Sequence, residues 1–198
     1  MNPDGRLIKP EALEKLRETI IQLFAQGQYH EVGMRAICQS AKVSPQTVYK
    51  YFGSKDQLLL ACMEQDMQRL AAHCHQASLQ HEDPVDALHQ YCIATFEFFA
   101  DEPLIARIVY LNIPGIYWAN QSSPGRELLA DRLGKLVKKA QKAGRITKAV
   151  PAHWVVDIFT GAANRLLMRW LVEGEKRNLA KEAKKYLHYL TDGLVVDH

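Results

Sequence analysis

The sequence predicts an all-α protein of about nine helices, and three observations lead to this fold class. Apolar residues recur at intervals of three and four along nearly the whole chain, which is the period of an amphipathic helix. Strand-like alternation of apolar and polar residues is nearly absent. Proline and glycine, which often start or end helices, fall between the apolar stretches.

The first three helices are short or closely spaced. An apolar stripe over residues 13–24 predicts the first helix, which should end near Gly27. A second, shorter helix starts at Met34. Ser44 followed by Pro45 is typical of a helix N-cap with proline at the first helical position, so a third helix of about seven residues should follow.

The remaining helices are longer. Ser54 and Gln57 have the spacing of a capping box and should open a helix that runs through Leu70. Breaks at Pro84, Pro114-Gly115 and Ala143-Gly144 separate the helices that follow. These helices are predicted over residues 85–100, 103–112, 124–143, 152–172 and 179–194.

The composition is that of an ordinary folded protein. The chain has 198 residues, 47% of them hydrophobic and 24% charged, which is enough to bury a core. Its most apolar stretch, residues 154–172, carries three charged residues, and no apolar segment follows the first six residues. We therefore expect neither a membrane span nor a secretion signal. The cysteines have no paired spacing, which is typical of reduced thiols in a cytoplasmic protein: Cys38, Cys62, Cys74 and Cys92.

Positive charge is concentrated in the N-terminal quarter. Residues 1–55 hold eight Lys or Arg against five Asp or Glu, which accounts for the whole formal net charge of +3. Residues 32–55 contain four basic residues and no acidic one. A local positive zone fits an anionic partner such as nucleic acid. A second acid-free basic run, from Arg132 to Lys148, is either an exposed helix face or the border of a site for an anionic ligand.

The second and third helices have the spacing of a helix-turn-helix, whose second helix can enter the major groove of DNA. Gln and Thr side chains can bond base edges, while Tyr and Lys side chains typically bond phosphate oxygens. The apolar residues Ile37, Val48 and Phe52 would face inward. The residues expected to contact DNA are Arg35, Ser44, Gln46, Thr47, Tyr49, Lys50, Tyr51 and Lys55.

This region resembles the TetR family of transcriptional regulators. The stretch LRETIIQLFA at 16–25, then Tyr29 and MRAIC at 34–38, is similar to the first two helices of that family. The stretch AKVSPQTVYKYFGSKDQLL at 41–59 resembles its recognition helix and the start of its fourth helix. The resemblance implies that operator DNA is contacted by Thr47, Tyr49, Tyr51 and Lys55, with Gln46 and Lys50 at the variable reading positions.

Two residues depart from the family pattern. Gln28 replaces the usual glycine before the aromatic residue, and Gly33 stands where a Ser or Thr often caps the second helix. These changes affect the first turn and the entry into the second helix, and neither removes a residue that faces DNA.

The resemblance also implies two domains, a helix-turn-helix DNA-binding domain at residues 1–55 and an effector-binding and dimerisation domain at residues 56–198. We expect an apolar ligand pocket among the middle helices, although an aromatic residue at any one of these positions is more often plain core. The residues expected to line the pocket are Cys92, Phe96, Phe99, Arg107, Tyr110, Tyr117, Trp118, Trp154 and Asp157.

The last two helices carry the features of a dimer interface. Gly161, Ala162 and Ala163 are small residues that would allow close helix approach. Apolar stripes through Phe159 and Val156, and another on the last helix, either meet a second chain in a four-helix interface or form core within one chain.

These features predict a cytoplasmic, homodimeric, ligand-responsive transcriptional regulator, with repression of a palindromic operator as the expected mode. The effector would be small and largely apolar or aromatic. A structural DNA-binding protein without an effector, and a helical enzyme, are the alternatives. We expect no catalytic role and no cofactor, because common catalytic motifs are absent. We also expect no metal site, because the adjacent side chains of His73, Cys74 and His75 would point to different sides of one helix and could not bind a single ion.

Overall fold

The computed structural model describes residues 10–119 and 121–194, and the regular elements in these ranges are all helical. This confirms the all-α prediction. In chain order the elements are α1 (Pro10–Gln26), α2 (Met34–Ala41), α3 (Pro45–Phe52), α4 (Lys55–Leu79), α5 (Pro84–Asp101), α6 (Pro103–Arg107), a π-helical turn (Ile108–Asn112), α7 (Gly115–Ala119), α8 (Pro124–Lys142), α9 (Ala152–Val172) and α10 (Leu179–Asp192).

The described ranges contain ten α-helices rather than about nine. The additional helix is α7, which follows Pro114 directly and which the sequence marked only as a break. The predicted helix over 103–112 is also divided, since it changes to a π-helical turn at Ile108. The first six residues, from which no secretion signal was expected, lie outside the described residues.

Local sequence signals fix most helix starts. Ser44 and Ser54 accept backbone N–H bonds from Thr47 and Gln57, so both predicted N-caps are confirmed. Asp83, Ser123 and Asn178 cap α5, α8 and α10 in the same way. Such caps are each worth about 1 kcal/mol of helix stability. The N-cap of α2 is Gly33, so no N-cap side chain accepts a hydrogen bond from the free N–H groups in the first turn of α2.

A single hydrophobic core runs through the molecule. α4, α5 and α8 pack against one another at its centre, and α10 lies against α5. α1, α2 and α3 enclose their own part of the core around Ile20, Phe24 and Val48, which are fully buried. The core also reaches the first turns of α4 through Leu58 and Leu59. The three N-terminal helices are thus carried on the N-terminal end of α4.

The four cysteines are free and buried, as the lack of paired spacing predicted. Burial raises the pKa of the Cys62 and Cys74 thiols to about 12. Among the described helices, none is both long and apolar enough to cross a membrane.

Candidate DNA-binding surface and effector cavity

The start of α3 is rigidly capped. The Ser44 hydroxyl oxygen accepts a 3.0 Å bond from the Thr47 backbone N–H and lies 2.8 Å from the Thr47 hydroxyl. Lys42, which closes α2, adopts the left-handed conformation at φ 56°. The turn between α2 and α3 therefore runs from Lys42 to Ser44.

α3 presents a polar face to solvent. Val48 is fully buried, and Phe52 packs against the core beside it. On the other side Gln46, Tyr49 and Lys50 are exposed, with Tyr49 at 52%. Thr47 and Tyr51 are half-buried, and Arg35 and Ser44 are exposed beside this face. The residues expected to contact DNA, Lys55 apart, therefore lie on or next to one accessible surface, which we call the α3 face.

Lys55 is bound to the turn between α1 and α2. Its ammonium donates hydrogen bonds to the backbone oxygens of Tyr29 (2.9 Å) and Val32 (3.1 Å), and it lies 4.0 Å from the centre of the Tyr29 ring. Burial lowers the pKa of this lysine, and the neighbouring Asp56 opposes the shift. Lys55 thus holds the turn in which Gln28 departs from the family pattern.

A cavity of about 420 Å³ lies in the middle of the helical body. Its walls come from α4, α5, the π-helical turn, α7, α8 and α9. The volume falls within the range of roughly 300–1,000 Å³ typical of ligand pockets. The lining is mostly apolar and consists of Met67, Leu70, Tyr91, Cys92, Thr95, Phe99, Val109, Tyr110, Gly115, Trp118, Arg126, Leu129, Ala130, Leu133, Phe159, Thr160, Ala163 and Asn164.

Four of the nine residues expected to line the pocket do so: Cys92, Phe99, Tyr110 and Trp118. The other five do not, which corrects the expectation for each. Phe96 is buried in the core on another side of α5. Arg107 forms an ion pair with Glu175, and Tyr117 turns toward Asp56 in the first turn of α4.

Trp154 and Asp157 are both exposed, Trp154 at 59%. They lie on the face of α9 that points away from the body, so neither lines the cavity.

The sequence analysis missed Arg126, which lines the cavity from the first turn of α8. Its guanidinium donates a 2.6 Å bond to the backbone oxygen of Trp118 and lies 5.8 Å from that ring. A cation in the first turn of a helix opposes the helix dipole. This misplaced charge is the signal that could have identified Arg126 from the sequence.

Two of the elements that form the cavity walls also contact the N-terminal part of the protein, at α1, at the turn after it and at the start of α4. Val109 and Tyr110 line the cavity, and Asn112 ends the same π-helical turn. The Asn112 side chain donates a 2.9 Å bond to the Phe24 backbone oxygen, while its own backbone oxygen accepts one of 3.0 Å from the Tyr29 N–H. Insertions of this π-helical kind often mark functional sites.

α7 makes the second connection. Trp118 lines the cavity, and its neighbour Tyr117 donates a 3.0 Å hydrogen bond to the Asp56 backbone oxygen in the first turn of α4. The Tyr117 ring also packs 5.0 Å from Tyr29, whose hydroxyl bonds the Asp56 carboxylate. Burial and the Asp56 carboxylate raise the pKa of Tyr29 to about 12.

A buried ion pair ties α1 to α4 farther along. Asp66 has no exposed side-chain surface and accepts bonds of 2.7 and 2.9 Å from Arg17. Arg69 bonds the same carboxylate at 3.0 Å and extends the network to Glu102. Removing one member of such a buried network leaves a charge unpaired, so these residues fix the position of α1.

The outer face of α9 carries an unpartnered apolar stripe. Trp154, Ile158, Gly161, Met168 and Val172 are exposed, with Val172 at 74%. Together with Arg165 they are spaced four, three, four, three and four residues apart, so they share one face of the helix. A Cβ on Gly161 would meet no atom within 4 Å. We call this surface the α9 seam.

The α9 seam differs from the stripes that the sequence favoured. Phe159, Leu166 and Trp170 are buried within the chain, as are Leu167 and Leu171. Because α9 is apolar on several sides, periodicity could not distinguish the side that packs inward. On α10, Tyr186 and Tyr189 are exposed, while Leu179, Ala183 and Leu187 are buried in the core.

Within the described ranges, no group of three or more His, Cys, Asp or Glu side chains is placed to hold a metal ion.

Residues 16–62 match the family model described as bacterial regulatory proteins, tetR family. The chain is 26% identical over 173 residues to the HTH-type transcriptional regulator UidR of Escherichia coli K12, covering 82% of this chain and 81% of that one. It is 29% identical over 85 residues to the HTH-type transcriptional repressor KstR of Mycolicibacterium smegmatis, covering 43% of this chain and 42% of that one.

Solved structures share the fold. The fatty acid degradation regulator FadR from Bacillus halodurans superposes with a TM-score of 0.78 at 18% identity, covering 93% of this chain and 96% of that one. FadR from Bacillus subtilis, solved in complex with stearoyl-CoA, has a TM-score of 0.76 at 16% identity, with coverages of 91% and 98%.

Proposed function

We propose that this chain, which is similar to TetR-family regulators, is a DNA-binding homodimeric repressor that releases a palindromic operator when an effector enters the cavity. The observation that carries the proposal is the α3 face, a capped helix that buries Val48 and exposes amide, hydroxyl and lysine side chains. We further propose that residues 1–55 act as the DNA-binding domain and residues 56–198 as the effector and dimerisation domain.

In this proposal the α3 face reads the major groove. Gln46 and Thr47 lie in its first turn and would bond base edges. The remaining predicted residues would hold phosphate oxygens and set the register of docking. They are Arg35, Ser44, Tyr49, Lys50, Tyr51 and Lys55. Two of the three N–H donors of Lys55 are used within the protein, which leaves one for a phosphate.

A titration against DNA tests this role. DNA fragments that the purified protein retains from genomic DNA are sequenced to define the operator, and affinity is then measured by fluorescence anisotropy. We expect Gln46→Ala and Thr47→Ala to weaken operator binding by about 1–3 kcal/mol and to leave random-sequence DNA nearly unaffected. Gln76→Ala, exposed far along α4, is the matched control. Equal losses on operator and random DNA would refute base reading.

The α9 seam supports the homodimer. Exposed Trp154, Ile158 and Met168 form an apolar surface with Gly161 at its middle, where two helices could approach closely. A two-fold interface of α9 and α10 from each chain would set two α3 helices about 34–36 Å apart, one turn of DNA.

Sedimentation velocity tests the interface. We expect Ile158→Glu to convert the dimer to monomer and to abolish high-affinity operator binding, because a charge would be buried at the contact. Leu79→Glu changes an equally apolar residue that is 60% exposed elsewhere, and it should leave the dimer intact. A dimeric Ile158→Glu protein would place the interface on another surface.

The cavity supports a ligand-responsive regulator over a structural DNA-binding protein, whose middle would be filled. Its mostly apolar lining suits a small, largely apolar or aromatic effector. Two proteins of the same fold, FadR from Bacillus subtilis and FadR from Thermus thermophilus, were solved in complex with stearoyl-CoA and lauroyl-CoA. Both ligands carry a long apolar chain, which agrees with an apolar effector for this protein.

The response would be a shift between two arrangements of the DNA-binding helices. An effector moves this equilibrium only if it prefers one arrangement. The π-helical turn and α7 each have one residue on the cavity and another on the DNA-binding helices, Tyr110 with Asn112 and Trp118 with Tyr117. A ligand that displaces either wall would therefore reposition α1 and the start of α4, and with them α3.

A further inference from the structure

The effector cavity contains hydrogen-bond donors that the described part of the protein does not satisfy. Arg126 forms no ion pair within the described ranges, and its one bond goes to the Trp118 backbone oxygen. Trp118 is 7% exposed, and its indole nitrogen is buried without a hydrogen-bond partner. Both residues line the cavity, and both offer only donors.

Three hydroxyls of the lining, those of Tyr91, Thr95 and Thr160, already have hydrogen-bond partners within the protein. The Tyr91 hydroxyl donates to the Leu129 backbone oxygen at 2.8 Å. The hydroxyls of Thr95 and Thr160 bond backbone oxygens one turn earlier in their own helices. Among the donors of the lining, Arg126 supplies a cation, and it lies 5.8 Å from the ring of Trp118, whose buried N–H has no partner.

Arg126 is held in an unfavourable place for a cation. It lies in the first turn of α8, where the helix dipole repels positive charge. Burial also lowers the pKa of its guanidinium. A charged group kept in a cavity against such costs is a mark of a binding site, because a bound anion would offset both.

We propose that the effector is an apolar carboxylic acid whose carboxylate accepts hydrogen bonds from Arg126 and from the indole N–H of Trp118. The proposal rests on the proposed function and specifies the effector of the same cavity. A carboxylate has two oxygens and can accept from both donors, and the planar guanidinium matches its geometry. The rest of the molecule would lie against the apolar side chains of α4, α5 and α9, including Met67, Phe99 and Phe159.

Calorimetric titration of the full-length protein tests the proposal. The probes are octanoate, decanoate and 3-phenylpropanoate, each compared with its alcohol and, for decanoate, with decanoyl-CoA. We expect at least one acid to bind about tenfold or more tightly than its alcohol, because the alcohol cannot pair with the guanidinium. Equal affinity for acid and alcohol, tighter binding of the thioester than of decanoate, or no binding by any of the acids would each overturn the proposal.

Variants of the two donors localise the effect. We expect Arg126→Met to weaken binding of the acid about 10- to 100-fold and to leave binding of the alcohol nearly unchanged. Trp118→Phe keeps an aromatic side chain but removes the N–H, and it should weaken binding of the acid several-fold. Arg126→Lys should retain part of the affinity that Arg126→Met loses. Arg132→Met is the matched control, since Arg132 lies on the same helix and also donates to a backbone oxygen, that of Ala71, outside the cavity lining.

Equal acid affinities for Arg126→Met and Arg132→Met would refute the assignment. Melting curves of every variant separate lost binding from lost folding. DNA affinity of the unliganded parent protein is measured separately. DNA binding without acid binding overturns the effector proposal alone, whereas acid binding without DNA binding overturns the proposed regulator.

Discussion

The ammonium of Lys55 joins the first turn of α4 to two backbone oxygens in the turn between α1 and α2. In our proposal Lys55 also contacts a DNA phosphate, in addition to holding this turn in place. Its position therefore predicts two separate losses on substitution, one in folding and one in DNA binding.

We expect Lys55→Met to lower the free energy of unfolding by about 1–3 kcal/mol, because two backbone acceptors lose a charged donor. The slope of log affinity for DNA against log salt should also fall by about one. Lys15→Met removes an exposed charge from α1 and should change stability by no more than about 0.5 kcal/mol. Urea unfolding and anisotropy at several salt concentrations measure both. An unchanged slope would confine Lys55 to its structural role.

The local part of the DNA-binding site was predictable at the level of residues. Ser44, Pro45 and Val48 determine where α3 begins and which side it buries through contacts within a few positions of one another. The partners of Lys55 were not predictable, because Tyr29 and Val32 reach it only through the tertiary fold.

Among the helices, α8 and α4 are in close contact at Gly125. A Cβ built on Gly125 would lie 2.7 Å from the Met67 Cβ and 2.8 Å from the Gln68 nitrogen. Glu64 also accepts bonds from the Ser123 hydroxyl and the Gly125 N–H, both at the start of α8. This contact holds the turn of α8 that carries Arg126.

We expect Gly125→Ala to destabilise the protein by about 1–3 kcal/mol, because the methyl group meets backbone that cannot move aside. Gly134→Ala on the same helix adds its methyl group in open space and should raise stability by up to about 1 kcal/mol. Thermal unfolding distinguishes the two. Equal effects of the two substitutions would mean that the crossing of α4 and α8 is looser than described.

His89 connects α5 with α10 through a 3.0 Å contact between its Nε2 and the Thr191 hydroxyl. Burial lowers the pKa of this histidine below its ordinary value of 6.5; His188 opposes its charge, and Asp83, Asp86 and Asp192 favour it. The unfolded chain therefore binds the proton more readily. The stability that His89 contributes is present above about pH 6.5 and is lost as the pH falls below it.

We expect the free energy of unfolding to fall between pH 7.5 and 5.5, and His89→Gln to reduce this fall measurably, by a few tenths of a kcal/mol up to about 1 kcal/mol. His73→Gln, at an exposed site on α4, is the matched control. Urea titrations at the two pH values measure it. An undiminished fall in His89→Gln would assign the pH dependence to other groups.

At the level of the whole molecule, Tyr117 and Asn112 connect the cavity to the DNA-binding helices. We expect decanoate to weaken operator binding by the parent protein, and Tyr117→Phe to reduce that coupling by roughly 1 kcal/mol, since one of the connecting hydrogen bonds is lost. Tyr189→Phe removes a hydroxyl from an exposed site on α10 as the control. If Tyr117→Phe left the coupling unchanged, α7 would not transmit the effect of the ligand in the cavity to operator binding.

The global arrangement was predictable only in part. Helical periodicity predicts that α9 exists but cannot assign its sides, because Trp154 and Trp170 belong to equally apolar stripes and only the second faces the core. The cavity was expected among the middle helices, yet Arg126 and Tyr117 take their roles from helix packing rather than from neighbours in the sequence.

The burial of all four thiols makes this protein convenient for spectroscopy. Alkylating reagents attack thiolates, and burial raises the pKa of all four thiols, so each is protonated at neutral pH. A single cysteine placed at an exposed position such as Gln39 would then be the one fast-reacting group among the described residues. Spin labels attached at this position in both chains of the proposed dimer would report the distance between the two DNA-binding domains, with and without a bound acid.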